Sequence, residues 1–133
     1  MIIIMKNLIY EETRKTPKIN FDYDSGIFEI SGRSIPENSY EFYKPVMDWL
    51  DAYCETTKKQ TIVKVFLEYL NTSSSKYIFD LFKKFETIHK SDKEHTILIE
   101  WFYDQDDDDM IELGEDYRDM IRGVPFEMHI YKR

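Results

Sequence analysis

Cysteine is almost missing from this chain, glycine and proline are scarce, and histidine is rarer still: one Cys, four Gly, four Pro and three His in 133 residues. A lone thiol, Cys54, excludes an intramolecular disulfide and a cysteine metal cluster. It falls among Trp49, Leu50 and Tyr53 in a predicted helix, where a packed or half-buried thiol is expected. His89, His95 and His129 make neither HxH nor HExxH, and no GxGxxG, Walker loop or GxSxG elbow is present. With no nucleophile–base pairing to build on, enzymatic chemistry is not expected. His89 and His95 flank a KSDKE loop and read as solvent-exposed, while His129 reads as a sheet-surface or edge residue. No apolar run approaches the length of a membrane span. The opening MIIIM is too short and lacks a basic start and a cleavage site, so the expected location is the cytoplasm. Positive charge is also in deficit: 18 Lys and Arg face 26 Asp and Glu, for a net charge of -8. That balance argues against non-specific nucleic-acid binding and is compatible with basic protein partners.

What is abundant is aromatic surface, at 16% of residues, enough to fill the core of one globular domain over residues 1–133. Residues 1–7 read as a short N-terminal extension. NLIYEET predicts a first strand, and INFDYDSGIFEISG a hairpin turning at Asp24, Ser25 and Gly26. In IPENSYEFYKPVMDWLDAY, Phe42, Val46, Trp49, Leu50 and Tyr53 fall at helical spacing. Because the first turn tolerates proline best, Pro45 predicts a helix beginning nearer Tyr43 than Asn38. TIVKVFLEYL is apolar at both alternating sets of positions, as in a central strand covered on both sides or lying between other strands. A second helix carries Ile78, Leu81, Phe82, Phe85 and Ile88, followed by the strand TILIEWFY. Met110, Leu113, Tyr117, Met120 and Ile121 form a weaker helical stripe closed by Gly123 and Pro125, and FEMHIY is a last strand. The order β-β-β-α-β-α-β-α-β implies an α/β domain: one mixed sheet, partly parallel with right-handed crossovers, packed against helices.

Two segments carry candidate chemistry. The acidic run DQDDDDMIELGED puts carboxylates at Asp104, Asp106, Asp108, Glu112 and Glu115 in the register of an EF-hand loop. Asp109 stands where that loop needs glycine for its sharp turn, so Asp104, Asp106 and Asp108 are weak metal candidates and no metal or other cofactor is expected. The same carboxylates also suit a helix start or a surface for Lys and Arg of a partner. In LEYLNTSSSKYIF, four hydroxyls, Thr72 to Ser75, stand where a strand gives way to a helix. Thr72 or Ser73 would serve as N-cap, and the same free amides and helix dipole would suit a phosphoryl group. Local sequence leaves both readings open.

Three separated segments resolve the choice by resemblance: SGRSIPENSYEFYKPVMDWLDAY, LEYLNTSSSKYIFDLF and DDDDMIELGEDYRDMIRGVPFE together resemble the SiaC family of bacterial regulatory phosphoproteins. The likeness runs from about Ile9 to the C-terminus. It implies a STAS-like (SpoIIAA-like) fold and a switch protein in place of an enzyme. It further implies a partner kinase that phosphorylates the LNTSS segment and a PP2C-like phosphatase that reverses it. The unphosphorylated form would bind and activate a diguanylate cyclase or another output protein, raising cyclic-di-GMP and so controlling aggregation or biofilm formation. On this sequence the modified residue is Thr72, with Ser73 and Ser74 as alternates, and the expected partner-binding residues are Asn71, Thr72, Ser73, Lys76, Asp107 and Asp108. Competing readings are a metal- or ligand-binding module built on the acidic loop and a constitutive protein-interaction scaffold. No contact with nucleic acid or membrane is expected.

Overall fold

The computed structural model describes residues 5–56 and 59–131. Its elements are β1 (Leu8–Tyr10), β2 (Lys18–Asp22), β3 (Ile27–Ser34), α1 (Ser39–Tyr53), β4 (Gln60–Leu70), α2 (Thr72–Ser91), β5 (Thr96–Asp104), α3 (Asp108–Met120) and β6 (Phe126–Tyr131). The predicted element order is therefore observed. Most of the expected N-terminal extension lies outside the described residues, although Met5 packs against the core.

All six strands form one mixed sheet in the order β1-β2-β3-β4-β5-β6. The first three pair antiparallel, and β3 to β6 pair parallel. The turn of the β2–β3 hairpin needs Gly26, whose φ is +73° and where a Cβ would run into the Gln60 carbonyl. Each parallel step adds the next strand on the same side, so right-handed crossovers put α1, α2 and α3 on one face of the sheet. Burial along β4 follows: Val63, Val65 and Leu67 are buried, whereas Ile62, Lys64 and Phe66 are only half-buried. The central strand thus lies between other strands and is helix-covered on one face. Phe28 sits at the middle of the covered side, its ring 4.8 Å from Phe21, 5.2 Å from Trp49 and 4.9 Å from Tyr53. Among the described residues no helix is long and apolar enough to cross a membrane.

Local chemistry corrects four of the expectations. The α1 helix starts at Ser39, not near Tyr43, because Asn38 Oδ1 accepts the Glu41 amide at 3.0 Å. Pro45 is tolerated inside it because Glu41, whose carbonyl loses its helical partner, lies on the exposed side where water can replace the bond. Cys54 is exposed, neither packed nor half-buried, because it is the C-cap just past Tyr53, the last buried residue of α1. Partial burial and the carboxylates of Glu55 and Asp51 push its thiol pKa up, leaving it a poor nucleophile at neutral pH. His95 is buried, not a loop residue in solvent. Its Nε2 lies 2.7 Å from Thr61 Oγ1, which in turn bonds the Tyr53 hydroxyl at 2.6 Å. In the α3 stripe, Met120 is the exception, 46% exposed, because α3 gives way at Ile121 before completing its last turn against the sheet.

Candidate functional site

The β4 strand ends at Leu70, and the Asn71 amide donates to the Ser34 carbonyl at 3.0 Å, fixing the point where the chain leaves the sheet. Asn71 keeps an extended backbone, and its Oδ1 accepts the Ser74 amide at 2.9 Å. Asn71 is therefore the N-cap of α2, and the expectation of a Thr72 or Ser73 cap is not met. A cap must sit just outside the helical conformation, and the hydroxyl residues have already entered it. Thr72 is the first helical residue.

Freed from capping, the four hydroxyls separate into distinct environments. Thr72 is exposed, and among the described residues its Oγ1 makes no hydrogen bond. Ser73 is exposed as well but engaged, 2.6 Å from Ser39 Oγ and donating to Asn71 Oδ1 at 3.1 Å. Ser74 is fully buried and accepts from Ser34 Oγ at 2.8 Å. Ser75 is half-buried and donates to the Thr72 carbonyl at 2.7 Å. Behind them, Ser34 Oγ lies 2.5 Å from the Tyr43 hydroxyl, so one buried chain of hydroxyls joins α1, β3 and the first turn of α2. Burial pushes the Tyr43 phenol up to about 12. Tyr117 of α3 ties in from the other side, its hydroxyl donating to the Ser75 carbonyl at 2.7 Å.

In front of Thr72 lies a shallow cleft of about 300 Å³ between α2 and α3, lined by Leu70, Asn71, Thr72, Ser75, Asp109, Glu112, Leu113 and Asp116. Its three carboxylates recur at helical spacing on one side of α3, and among the described residues no Lys or Arg lines it. The first turn of α2 contains no acidic residue, so the carboxylates of α3 supply negative charge near its positive dipole end. Lys76 is exposed, its ammonium 5.9 Å from the Tyr77 ring centroid. A phosphoryl group at Thr72 would thus meet an acidic wall, with the Ser74 amide already engaged by Asn71.

The acidic run serves turn and cap. Asp104 closes β5 and its Oδ1 accepts the Asp106 amide at 2.9 Å, while Asp107 caps α3 by accepting the Met110 amide at 3.1 Å. Among the described residues, Asp104, Asp106 and Asp108 do not converge as a metal-ligand group. Because β4 and β5 run parallel, this segment and Thr72 leave the sheet at the same end. It is Asp109, however, that enters the Thr72 cleft. Asp107 and Asp108 line a neighbouring cavity of about 800 Å³ with Glu12, Glu68, Phe66 and Phe102. Sequence reading missed Asp109, Glu112 and Asp116 as neighbours of the threonine; their spacing along α3 was the available signal.

The family model for "SiaC family regulatory phosphoprotein" matches residues 10–131. An uncharacterized protein of Pseudomonas aeruginosa (strain UCBPP-PA14) is 32% identical over 115 residues, covering 86% of this chain and 90% of the relative. The crystal structure of apo-SiaC from Pseudomonas aeruginosa superposes with a TM-score of 0.85 at 31% identity, over 94% of this chain and 99% of that one. A chain in the crystal structure of the diguanylate cyclase SiaD in complex with its activator SiaC, from the same organism, gives a TM-score of 0.85 at 31% identity, over 93% and 99% of the two chains. With the strand order, the capped hydroxyl turn and a family match over nearly its whole length, the chain belongs to the SiaC family of regulatory phosphoproteins.

Proposed function

We propose that this protein is a phosphorylation-controlled switch of a bacterial partner-switching pathway, acting in the cytoplasm on a diguanylate cyclase. A partner kinase transfers the γ-phosphoryl group of ATP to Thr72 Oγ1, and a PP2C-like phosphatase hydrolyses it. The unphosphorylated form binds and activates the cyclase through a face that includes Asn71, Thr72, Ser73 and Lys76, with Asp107 and Asp108 beside it. One observation carries the choice of residue: of the four hydroxyls, Thr72 alone is both exposed and without a hydrogen bond among the described residues. The reading of the partner is supported by the related SiaC, which is named as activator of the diguanylate cyclase SiaD in their complex.

The acidic cleft gives the switch its sign. A phosphoryl group adds about -1.5 to -2 charges. A unit charge about 6 Å from a carboxylate, at an effective dielectric near 20, is repelled by roughly 3 kcal/mol before salt screening. With Asp109, Glu112 and Asp116 in front of Thr72, the added charge disfavours a partner seated on that cleft. A change of about 1.4–3 kcal/mol corresponds to roughly ten- to a hundredfold in affinity. Intact-mass analysis after coexpression with the cognate kinase tests the site. One phosphoryl increment is expected on the wild type and none on Thr72→Ala; equal modification of both would refute the assignment.

A further inference from the structure

We propose that Glu100, Glu127 and His129 form a binding site for a divalent first-row transition-metal ion on the face of the sheet that no helix covers. Glu100 on β5 and Glu127 on β6 are direct register partners in the parallel pairing, and Phe102 pairs with His129 two residues further along. All four side chains therefore project from the same face. His129 Nε2 lies 3.0 Å from Glu100 Oε2 and 3.1 Å from Glu127 Oε1, and one ligand atom from each of the three residues falls within 4.8 Å of the other two. The Phe102 ring stacks on the imidazole at 5.1 Å and holds its plane.

Two carboxylates opposite one another on neighbouring strands repel, and although Lys64, the register partner of Glu100 on β4, faces Glu100 from the other side, a cation between Glu100 and Glu127 offsets that repulsion directly. A metal ion supplies that positive charge, taking Nε2 of His129 and both carboxylates as ligands. Bonds of about 2.0–2.1 Å in a tetrahedral site set ligand atoms roughly 3.3–3.4 Å apart. The two His–Glu edges need open only by a few tenths of an ångström to match. Ligands on two paired strands are held more rigidly than ligands on a loop, and Glu100 is itself mostly buried, at 17% exposure. An imidazole with two carboxylates suits Zn²⁺, Co²⁺ or Mn²⁺ better than Mg²⁺ or Ca²⁺, which prefer oxygen alone. His129 and Glu127 are partly open to solvent, which leaves the remaining coordination position to water or to a group on a partner.

The test is calorimetric titration of Zn²⁺ into the full chain carrying Cys54→Ser, which removes the exposed thiol as a competing ligand. One saturable site is expected at neutral pH. His129→Ala and Glu100→Gln should each weaken it at least roughly ten- to a hundredfold, given what loss of even an outer-shell partner does. His89→Ala should leave it unchanged. Imidazole resonances of His129 should shift on addition of Zn²⁺, a readout available even if Glu100→Gln is poorly folded. Absence of saturable heat, or affinity unaltered by His129→Ala in a folded variant, overturns the proposal. Neither outcome bears on Thr72.

Discussion

Replacing Tyr43 by Phe removes one oxygen and leaves the shape of the core intact, which isolates the buried hydroxyl chain behind Thr72. Ser34 gives its proton to Ser74, so Tyr43 is the donor in the 2.5 Å contact with Ser34. All three residues are fully buried, so water does not replace a lost partner. The phenol, pushed up to about 12 by burial, stays protonated at neutral pH and keeps donating. Its ring stack on Tyr77, at 5.4 Å, survives in Phe. The loss is one buried hydrogen bond plus part of the desolvation of an orphaned Ser34 lone pair, together about 1–2 kcal/mol. Ser74→Ala strands the Ser34 proton from the other end, at a similar cost of about 1–2 kcal/mol. Because both substitutions act through the same Ser34 oxygen, the double variant should be less destabilised than the sum, by about 0.5 kcal/mol or more. Urea unfolding of the four proteins at equal m-value measures this, and faster amide exchange in the first turn of α2 should accompany each single variant. A loss below about 0.3 kcal/mol for Tyr43→Phe, or strict additivity, would refute the view that the chain of hydroxyls holds that turn.

Other perturbations probe the supports of the site. Gly114→Ala would place a Cβ 2.5 Å from Trp101 Cδ1 and Nε1, so the helix-propensity gain of about 1 kcal/mol should be outweighed by overpacking of about 1–3 kcal/mol, read as a lower urea midpoint. Asn71→Ala removes the cap of α2 and should cost about 1 kcal/mol, with most of it regained by Asn71→Asp. The His95 pKa is lowered by burial, so the unfolded chain binds a proton there more readily than the native one. Its contribution to stability is intact above the unfolded value of about 6.5 and is lost as pH falls from there toward the lower native value. Comparing urea midpoints near pH 7.5 and 5.5 for wild type and His95→Asn should show a smaller acid loss in the variant.

Much of the fold was legible because periodicity reports local structure directly. Alternation in β2 and β6, the apolar stripe from Ile78 to Ile88 and the turn at Gly26 each follow from neighbours in sequence, and so does the order of the elements. The N-caps were less legible, because Asn71 and the hydroxyls after it compete for one role. Which one wins depends on where β4 lets go of the sheet, a contact between Asn71 and Ser34 that sequence spacing does not show. His95 looked like a loop residue for the same reason: Thr61 and Tyr53, which bury it, come from other elements.

The sequence by itself determined the strands and helices, the scarcity of catalytic groups and the strip of four hydroxyls at the start of α2. Its motifs pointed to the family. Tertiary structure decided the rest, because exposure and charge at Thr72 depend on elements far away in the chain. Packing against Ser34 and Tyr43 removed Ser74 from solvent, and Ser39 engaged Ser73. The parallel return of β5 then brought Asp109, Glu112 and Asp116 before the remaining hydroxyl, setting an acidic wall opposite Thr72.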